Sequence, residues 1–351
     1  MILHVCSLDK FIPPFVKLID EEFSDKDHQF WVVGVQKLKQ YPIEGADNVF
    51  IVKRSVVAQV FAYVRLIFML HRAEKVILHG LFNIRVVVIL ALCPWLHRKC
   101  YWVLWGGDLY VKRNGKRTFS WKVKEFFRRP VIRRFRVIVT TVPGDFDLAK
   151  KWYSTKAKFI HSLMYSSHVA REIKLSDEMS KVQLNIQVGN SADPENRHLE
   201  VFKDLERLLS NEDFYVYCPL SYGNAEYARV MEGMGEAMFG RRFYPLVEFM
   251  SFDDYNDYLS KIDVAIFNHQ RQQAMGNIIG LLSMGKTVYL RSSETPYHYL
   301  AGLGVKILDF ESLGEKLYKL NEKEKSENVR IIQKHFTEKN LVDSWEKVFN
   351  D

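Results

Sequence analysis

The chain has 351 residues, 48% hydrophobic and 26% charged, with a formal charge of +8 and four cysteines. That length accommodates two domains with separate cores, and that balance excludes a disordered or collagen-like chain. The longest apolar stretch, 86–96, contains Pro94 and falls short of the roughly 20 residues that span a bilayer, and residues 1–6 lack the basic n-region of a secretory signal. Neither a transmembrane helix nor a leader is expected. Cys6, Cys93, Cys100 and Cys218 lack C-x-x-C spacing and read as buried thiols of a reducing cytoplasm.

In chain order, residues 2–6 read as a strand and 7–14 as the loop leaving it, followed by a short helix. Residues 29–35 and 49–52 carry the β-branched and aromatic bias of strands, and 56–70 has helical length and spacing. A strand over 75–78 opens into His79-Gly80-Leu81-Phe82-Asn83, and 84–92 forms a buried helix ending before Pro94. The strand over 100–104 delivers Trp105-Gly106-Gly107-Asp108-Leu109-Tyr110.

Residues 111–136 hold eleven Lys or Arg and one acid, leaving −2 for the rest of the chain. Aromatic residues are interleaved, and a helix there is broken by Pro130. Lys112, Arg113, Lys116, Arg117, Trp121, Arg128 and Arg129 make a patch suited to an anionic membrane surface; nucleic acid and a merely solvated basic helix fit the same composition.

A strand over 137–140, a helix from Pro143 to about Trp152 and a strand over 158–163 close the first series. The polar stretch 166–180 reads as a linker. A second alternation follows: a strand at 182–188 ending in Gly189-Asn190-Ser191, a helix over 195–209, a strand at 214–218, a helix from Ala225 to near Gly235, a short strand at 247–250 and a helix over 252–260 capped by Ser251. Asp263 to Phe267 is the next strand, then come strands at 287–290 and 305–310 and a C-terminal helix over 341–349 that can fold back on the first domain. The expected fold is α/β: two doubly wound, Rossmann-like domains, 1–165 and 181–340, facing across a cleft.

Strand, polar turn and helix succeed one another from Phe267 to Leu282. The N-terminus of a helix at a strand's C-terminal end offers N–H groups and partial positive charge to an anion. Gly276 lets a phosphate approach the backbone, and Arg271, Gln272, Gln273 and Asn277 supply donors; a polar loop capped by Asn277 is the alternative. No G-x-G-x-x-G, Walker loop, H-E-x-x-H or G-x-S-x-G is present, which weighs against dinucleotide, nucleoside-triphosphatase, zinc-protease and serine-hydrolase chemistry.

Five blocks in order carry a resemblance: His79-Gly80-x-Phe82-Asn83, Trp105-Gly106-x-Asp108-Leu109-Tyr110, Val188-Gly189-Asn190-Ser191, Pro219-x-x-Tyr222 and Arg271-Gln272-Gln273-x-x-Gly276. Together they resemble the bacterial TDP-N-acetylfucosamine:lipid II N-acetylfucosaminyltransferase family, glycosyltransferase family 56. The resemblance implies a GT-B fold and transfer of 4-acetamido-4,6-dideoxy-D-galactose (Fuc4NAc) from a dTDP donor to a polyprenyl-diphosphate-linked saccharide. It places the protein on the cytoplasmic face of the bacterial inner membrane, in enterobacterial common antigen or O-antigen synthesis.

In such a fold the second domain holds the nucleotide. Asn190 and Ser191 are expected at the diphosphate or sugar, Tyr222 and residues 247–249 at the thymidine, Arg271, Gln273, Gly276 and Asn277 at the diphosphate, and Glu294 at the ribose. A base for the acceptor hydroxyl belongs in the first domain, with Asp108 first, His79 second and Asp9 third. Asp253-Asp254, just after Ser251, fits dipole and capping roles better than a metal site, so metal-independent chemistry is expected. The competing classes are a non-catalytic sugar-nucleotide or lipid-binding module and a nucleic-acid-binding protein using the basic segment.

Overall fold

The computed structural model describes residues 1–43, 47–170, 183–209, 213–314 and 316–351. In the first unit the elements run β1 (Ile2–Ser7), α1 (Ile12–Glu22), β2 (His28–Val33), β3 (Val49–Ile51), α2 (Val56–Arg72), β4 (Lys75–His79), α3 (Ile84–Leu92), β5 (Cys100–Val103), α4 (Gly107–Asn114), α5 (Phe119–Arg134), β6 (Val137–Thr140), α6 (Pro143–Tyr153) and β7 (Lys158–His161). In the second they run β8 (Leu184–Val188), α7 (His198–Leu208), β9 (Phe214–Pro219), α8 (Ala225–Phe239), β10 (Phe243–Leu246), α9 (Phe252–Ser260), β11 (Val264–Phe267), α10 (Met275–Ser283), β12 (Thr287–Leu290), α11 (Thr295–Gly302), β13 (Leu308–Asp309) and α12 (Glu322–His335). A last helix, α13 (Glu338–Asn350), returns to the first unit.

The first unit comprises residues 1–167 and 338–351, and the second 168–337. Each is built on a parallel sheet, ordered β3-β2-β1-β4-β5-β6-β7 in the first and β10-β9-β8-β11-β12-β13 in the second. Strand order reverses beside β1 and beside β8, so loops after β1 and β4, and after β8 and β11, flank the two switch points where ligands bind in doubly wound sheets. The continuous apolar runs are explained by burial: all four residues of each of β5, β6, β11 and β12 are enclosed.

Several local expectations change. Pro13 and Pro14 lie in the first turn of α1, where their missing N–H groups cost nothing, so the loop ends three residues early. Helix α5 continues through Pro130. The strand expected at 247–250 lies instead at Phe243–Leu246, paired with β9 from Val216 to Pro219. Helix α7 starts at His198, after a single 3-10 turn over Pro194–Asn196, and α12, capped by a reciprocal Asn321–Glu324 box, was not foreseen. Of the 166–180 linker, 171–180 lie outside the described residues.

Candidate functional site

In the second unit the site grows from the ends of β8 and β11. Gly189 leaves β8 with φ +68, and a Cβ there would lie 2.5 Å from His198 Nε2, so only glycine fits. The following loop is organised by buried Asn196. Its Oδ1 accepts from the Asn190 N–H (3.1 Å) and from His269 Nε2–H (2.7 Å), while Nδ2 donates to the carbonyls of Ser191 and Asp193 at 3.0 Å each. Burial drives the pKa of His269 well below its usual value, with Arg271 and His198 adding repulsion, so the ring is neutral.

After β11 the chain reaches Ala274, a non-glycine residue at φ +59 that serves as N-cap of α10 with no side-chain cap bond. Asn277, the cap in the alternative reading of this loop, lies in the first turn with Gly276. This uncapped helix start adjoins a set of linked amides: Gln273 Nε2 donates to Asn190 Oδ1 (3.0 Å) and reaches Ser191 Oγ (3.4 Å), and Asn190 Nδ2 donates to Tyr222 Oη (2.8 Å). The Tyr222 loop is fastened to the same place by Ala192 N–H donating to the Tyr222 carbonyl (2.8 Å). Arg271, Gln273 and Glu294 line one pocket with His269, Arg291 and Tyr297.

Arg271 is not the free cation that the sequence suggests. Its guanidinium is held by Asp193 Oδ2 (2.8 Å) and Glu195 Oε2 (2.7 Å) and is mostly enclosed. Arg291, at the end of β12, is likewise bound to Glu311 (3.0 Å) and Glu200 (3.5 Å) and bonds Asn268. The two arginines thus fix the loops around the α10 terminus, whose partial positive charge is the local feature suited to an anion. Residues 247–249 follow β10, and Val247 and Phe249 are exposed.

In the first unit, His79 and Asp108 are both buried at the strand ends, His79 lining a small pocket with Ser7, Gly80 and Asn83. Asp108 is 1% exposed. Its Oδ2 accepts from Trp102 Nε1–H (2.6 Å) and the Leu81 N–H (3.0 Å), and its Oδ1 from the Trp105 N–H (3.0 Å). Burial raises its pKa, while these donors and Arg128 pull it back. The carboxylate ties β5, the turn into α4 and the loop after β4 together. Gly80, at φ +78, accommodates this turn, since a Cβ would sit 2.5 Å from the Phe82 ring.

His79 is buried within a chain of hydrogen bonds. Tyr165 Oη accepts from Trp105 Nε1–H (2.8 Å) and lies 2.8 Å from His79 Nδ1; His79 Nε2 lies 3.1 Å from His4 Nδ1, and His4 Nε2 lies 2.9 Å from His28 Nδ1. Each ring gives one nitrogen as donor and the other as acceptor, so the three histidines must share one direction of donation along the chain. The rings are neutral because burial lowers the pKa to about 3 in His79, to about 4 in His28 and well below its usual value in His4. The chain anchors an aromatic wall at the strand ends, where Trp105 meets Phe11 (5.5 Å), Phe82 (5.7 Å) and Tyr165 (5.5 Å) edge-on. Of the three candidate bases, Asp9 alone presents a partly open carboxylate, with Oδ1 accepting from the Lys10 N–H (2.7 Å) and Oδ2 3.7 Å from Lys37. Phe11 and Tyr165 carried no sequence signal beyond their positions near strand ends.

The basic segment divides. Arg128 is buried, donating to the carbonyls of Leu81 (3.1 Å) and Asp108 and pairing with Glu125 (3.1 Å), so it leaves the surface patch. Lys112 also turns inward, to Glu125 (3.5 Å), and half-buried Trp121 donates to the Val111 carbonyl (3.0 Å). Arg113, Lys116, Arg117 and Arg129 remain exposed. Asp254 accepts from Ser251 Oγ–H (2.6 Å) while Ser251 caps α9, and no group of three His, Cys, Asp or Glu among the described residues could hold a metal ion.

The buried neutral histidines make acid costly. Besides those of the chain, His168 and His198 are held at about 4 by burial. Between these values and 6.5 the unfolded state binds more protons than the folded one, so stability is complete above pH 6.5 and is lost as pH falls toward 4. Thermal melts should show Tm falling by on the order of 10 °C across that window, and a Tm unchanged between about pH 7 and pH 5 would contradict the assignment.

A family model described as 4-alpha-L-fucosyltransferase, glycosyl transferase group 56, matches residues 9–350. Among solved structures, HepE of Anabaena in complex with UDP and glucose aligns with a TM-score of 0.69 at 12% identity, covering 100% of this chain and 99% of that one. WaaG, a glycosyltransferase involved in lipopolysaccharide biosynthesis, aligns at 0.66 and 12%, over 99% and 98%. A UDP-forming trehalose-phosphate synthase from Burkholderia xenovorans aligns at 0.64 and 10%, over 99% and 97%. These likenesses show the shared fold, the GT-B pair of Rossmann-like units.

Proposed function

Because the chain belongs to glycosyl transferase group 56 and is a glycosyltransferase, we propose that it moves Fuc4NAc from a dTDP donor to a polyprenyl-diphosphate-linked saccharide in bacterial surface-polysaccharide synthesis. The observation that carries the donor half is the uncapped α10 terminus beside the Gln273–Asn190–Tyr222 amide chain. A helix start and fixed amide donors stabilise a diphosphate whose charge grows as the glycosidic bond to it breaks. In this reading Ser191, Gly276 and Asn277 serve the diphosphate, Tyr222 the base and Glu294 the ribose. The structurally related HepE was solved with UDP, in keeping with a nucleotide ligand.

As the acceptor oxygen bonds to the sugar its proton must leave, and Asp9 takes it. Phe11, Phe82 and Trp105 offer ring faces and edges against which a saccharide can lie. The acceptor's lipid tail requires the enzyme to work at the cytoplasmic face of the inner membrane, toward which exposed Arg113, Lys116, Arg117 and Arg129 contribute about 1 kcal/mol each. No helix among the described residues is long and apolar enough to cross a membrane.

Thermal shift with nucleotides tests this reading: dTDP should raise Tm by several degrees more than UDP or GDP at equal concentration. Equal or absent shifts would remove the dTDP donor. Leaving-group stabilisation by dipoles and amides requires no divalent ion, so transfer should persist in EDTA; loss restored by Mg²⁺ or Mn²⁺ would show that a metal takes part.

A further inference from the structure

Helix α2 is apolar on both sides. Ala62, Leu66 and Leu70 are buried in the core of the first unit, as its place between sheet and solvent demands. On the opposite side Val57, Phe61, Val64 and Phe68, at i, i+4, i+7 and i+11, are 70%, 74%, 46% and 66% exposed. Helix α5 repeats the pattern, with Phe119, Val123 and Phe126 exposed at 82%, 41% and 74% while Val131 and Ile132 are buried. Such stripes are uncommon on a surface facing water.

The two helices share one face of the sheet. The steps from β3 to β4, β4 to β5 and β5 to β6 all move in the same direction, and right-handed crossovers then place α2, α3 and α5 in one layer. Both α2 and α5 start from the C-terminal edge of the strands, the edge that carries Asp9, Phe82 and Trp105. Tyr63 of α2 and Asn83, the cap of α3, are hydrogen-bonded there at 3.0 Å.

The charge of this layer selects its occupant. Residues 51–136 contain nineteen Lys or Arg and three acids. Asp108 and Glu125 are buried, which leaves Glu74 as the exposed carboxylate. Around the apolar stripes lie exposed Lys53, Arg54, Arg65, Lys122, Lys124 and Arg129. A protein partner of mixed charge is poorly matched by a surface that is apolar and cationic throughout; a bilayer with anionic headgroups matches both features, since cations meet the phosphates and the rings enter the acyl boundary.

We propose that the outer faces of α2 and α5 form a membrane-inserting surface that seats the first unit on an anionic bilayer with its strand-end site alongside the headgroups. This deepens the lipid-linked acceptor reading by naming the inserted elements, and insertion distinguishes it from charge attraction alone. The test is flotation of the full chain with phosphatidylglycerol/phosphatidylethanolamine vesicles at about 0.1 and about 0.5 M NaCl, the higher salt screening charges beyond a few ångströms.

Wild type should remain bound at the higher salt, and Phe61→Ser/Phe68→Ser should bind at least about tenfold less there while keeping its Tm. Wild type released by salt, or a double variant that floats like wild type, would overturn insertion. Light scattering without lipid supplies another arm: a wild-type dimer that the double variant converts to a monomer would assign the face to a second copy and overturn the proposal. The dTDP thermal shift of the double variant should match wild type; a missing shift in both proteins would count against the donor reading while leaving the vesicle result intact.

Discussion

Asp9→Asn should lower turnover by about a hundredfold or more with Tm nearly unchanged, whereas Asp108→Asn should lower Tm by about 10 °C. The contrast follows from their surroundings. Asp108 accepts from Trp102, Leu81 and Trp105 inside the first unit. An amide there has one oxygen to offer and turns an NH₂ toward groups that are themselves donors, at a cost of about 1–3 kcal/mol for each bond lost in the interior. Asp9 stands in the loop after β1, with a partly open carboxylate and few structural ties. Melting curves and steady-state transfer on both variants check the pair. Asp108→Asn with wild-type Tm and abolished turnover would return Asp108 to the chemistry, and Asp9→Asn with normal turnover would remove Asp9 from it.

Arg271→Ala should weaken dTDP binding by about thirtyfold in calorimetric titration, roughly 2 kcal/mol. The guanidinium joins Asp193 and Glu195 across the loop that carries Asn190 and Ser191, and removing it leaves two neighbouring carboxylates to repel each other and the diphosphate. Arg271→Lys should recover part of the affinity, since a point charge cannot span both partners. Asp193→Asn separates the two roles: it weakens binding if Arg271 acts by positioning the loop, and it strengthens binding if the guanidinium, once released, is the main phosphate ligand. Unchanged affinity in Arg271→Ala would exclude the residue from the site.

The glycine-containing blocks were legible for reasons that the backbone makes concrete. Gly80 and Gly189 have positive φ and close neighbours, and Asn83 caps α3. The polar residues after β8 and β11 were also correctly sited at strand ends, where Gln273 meets Asn190 and Ser191. Their pairing was not legible. Asn196, His269 and Arg291 carry no sequence signal because the bonds that join them to the site reach across as many as 91 positions. The exposed side of α2 escaped for a related reason, as an apolar helix in a sequence reads as buried all round.

By itself the sequence determined what local chemistry controls: apolar runs that alternate with helical spacing, glycines where chirality forbids a side chain, and a concentration of positive charge in one segment. Tertiary structure decided which groups are spent on holding the protein together. Asp108, Arg128 and Arg271 carry the charges expected of catalysis, membrane attraction and phosphate binding, and each is bound to neighbours brought from distant positions. A charge taken out of water must find partners, and which partners it finds depends on how the strands and helices are laid beside one another.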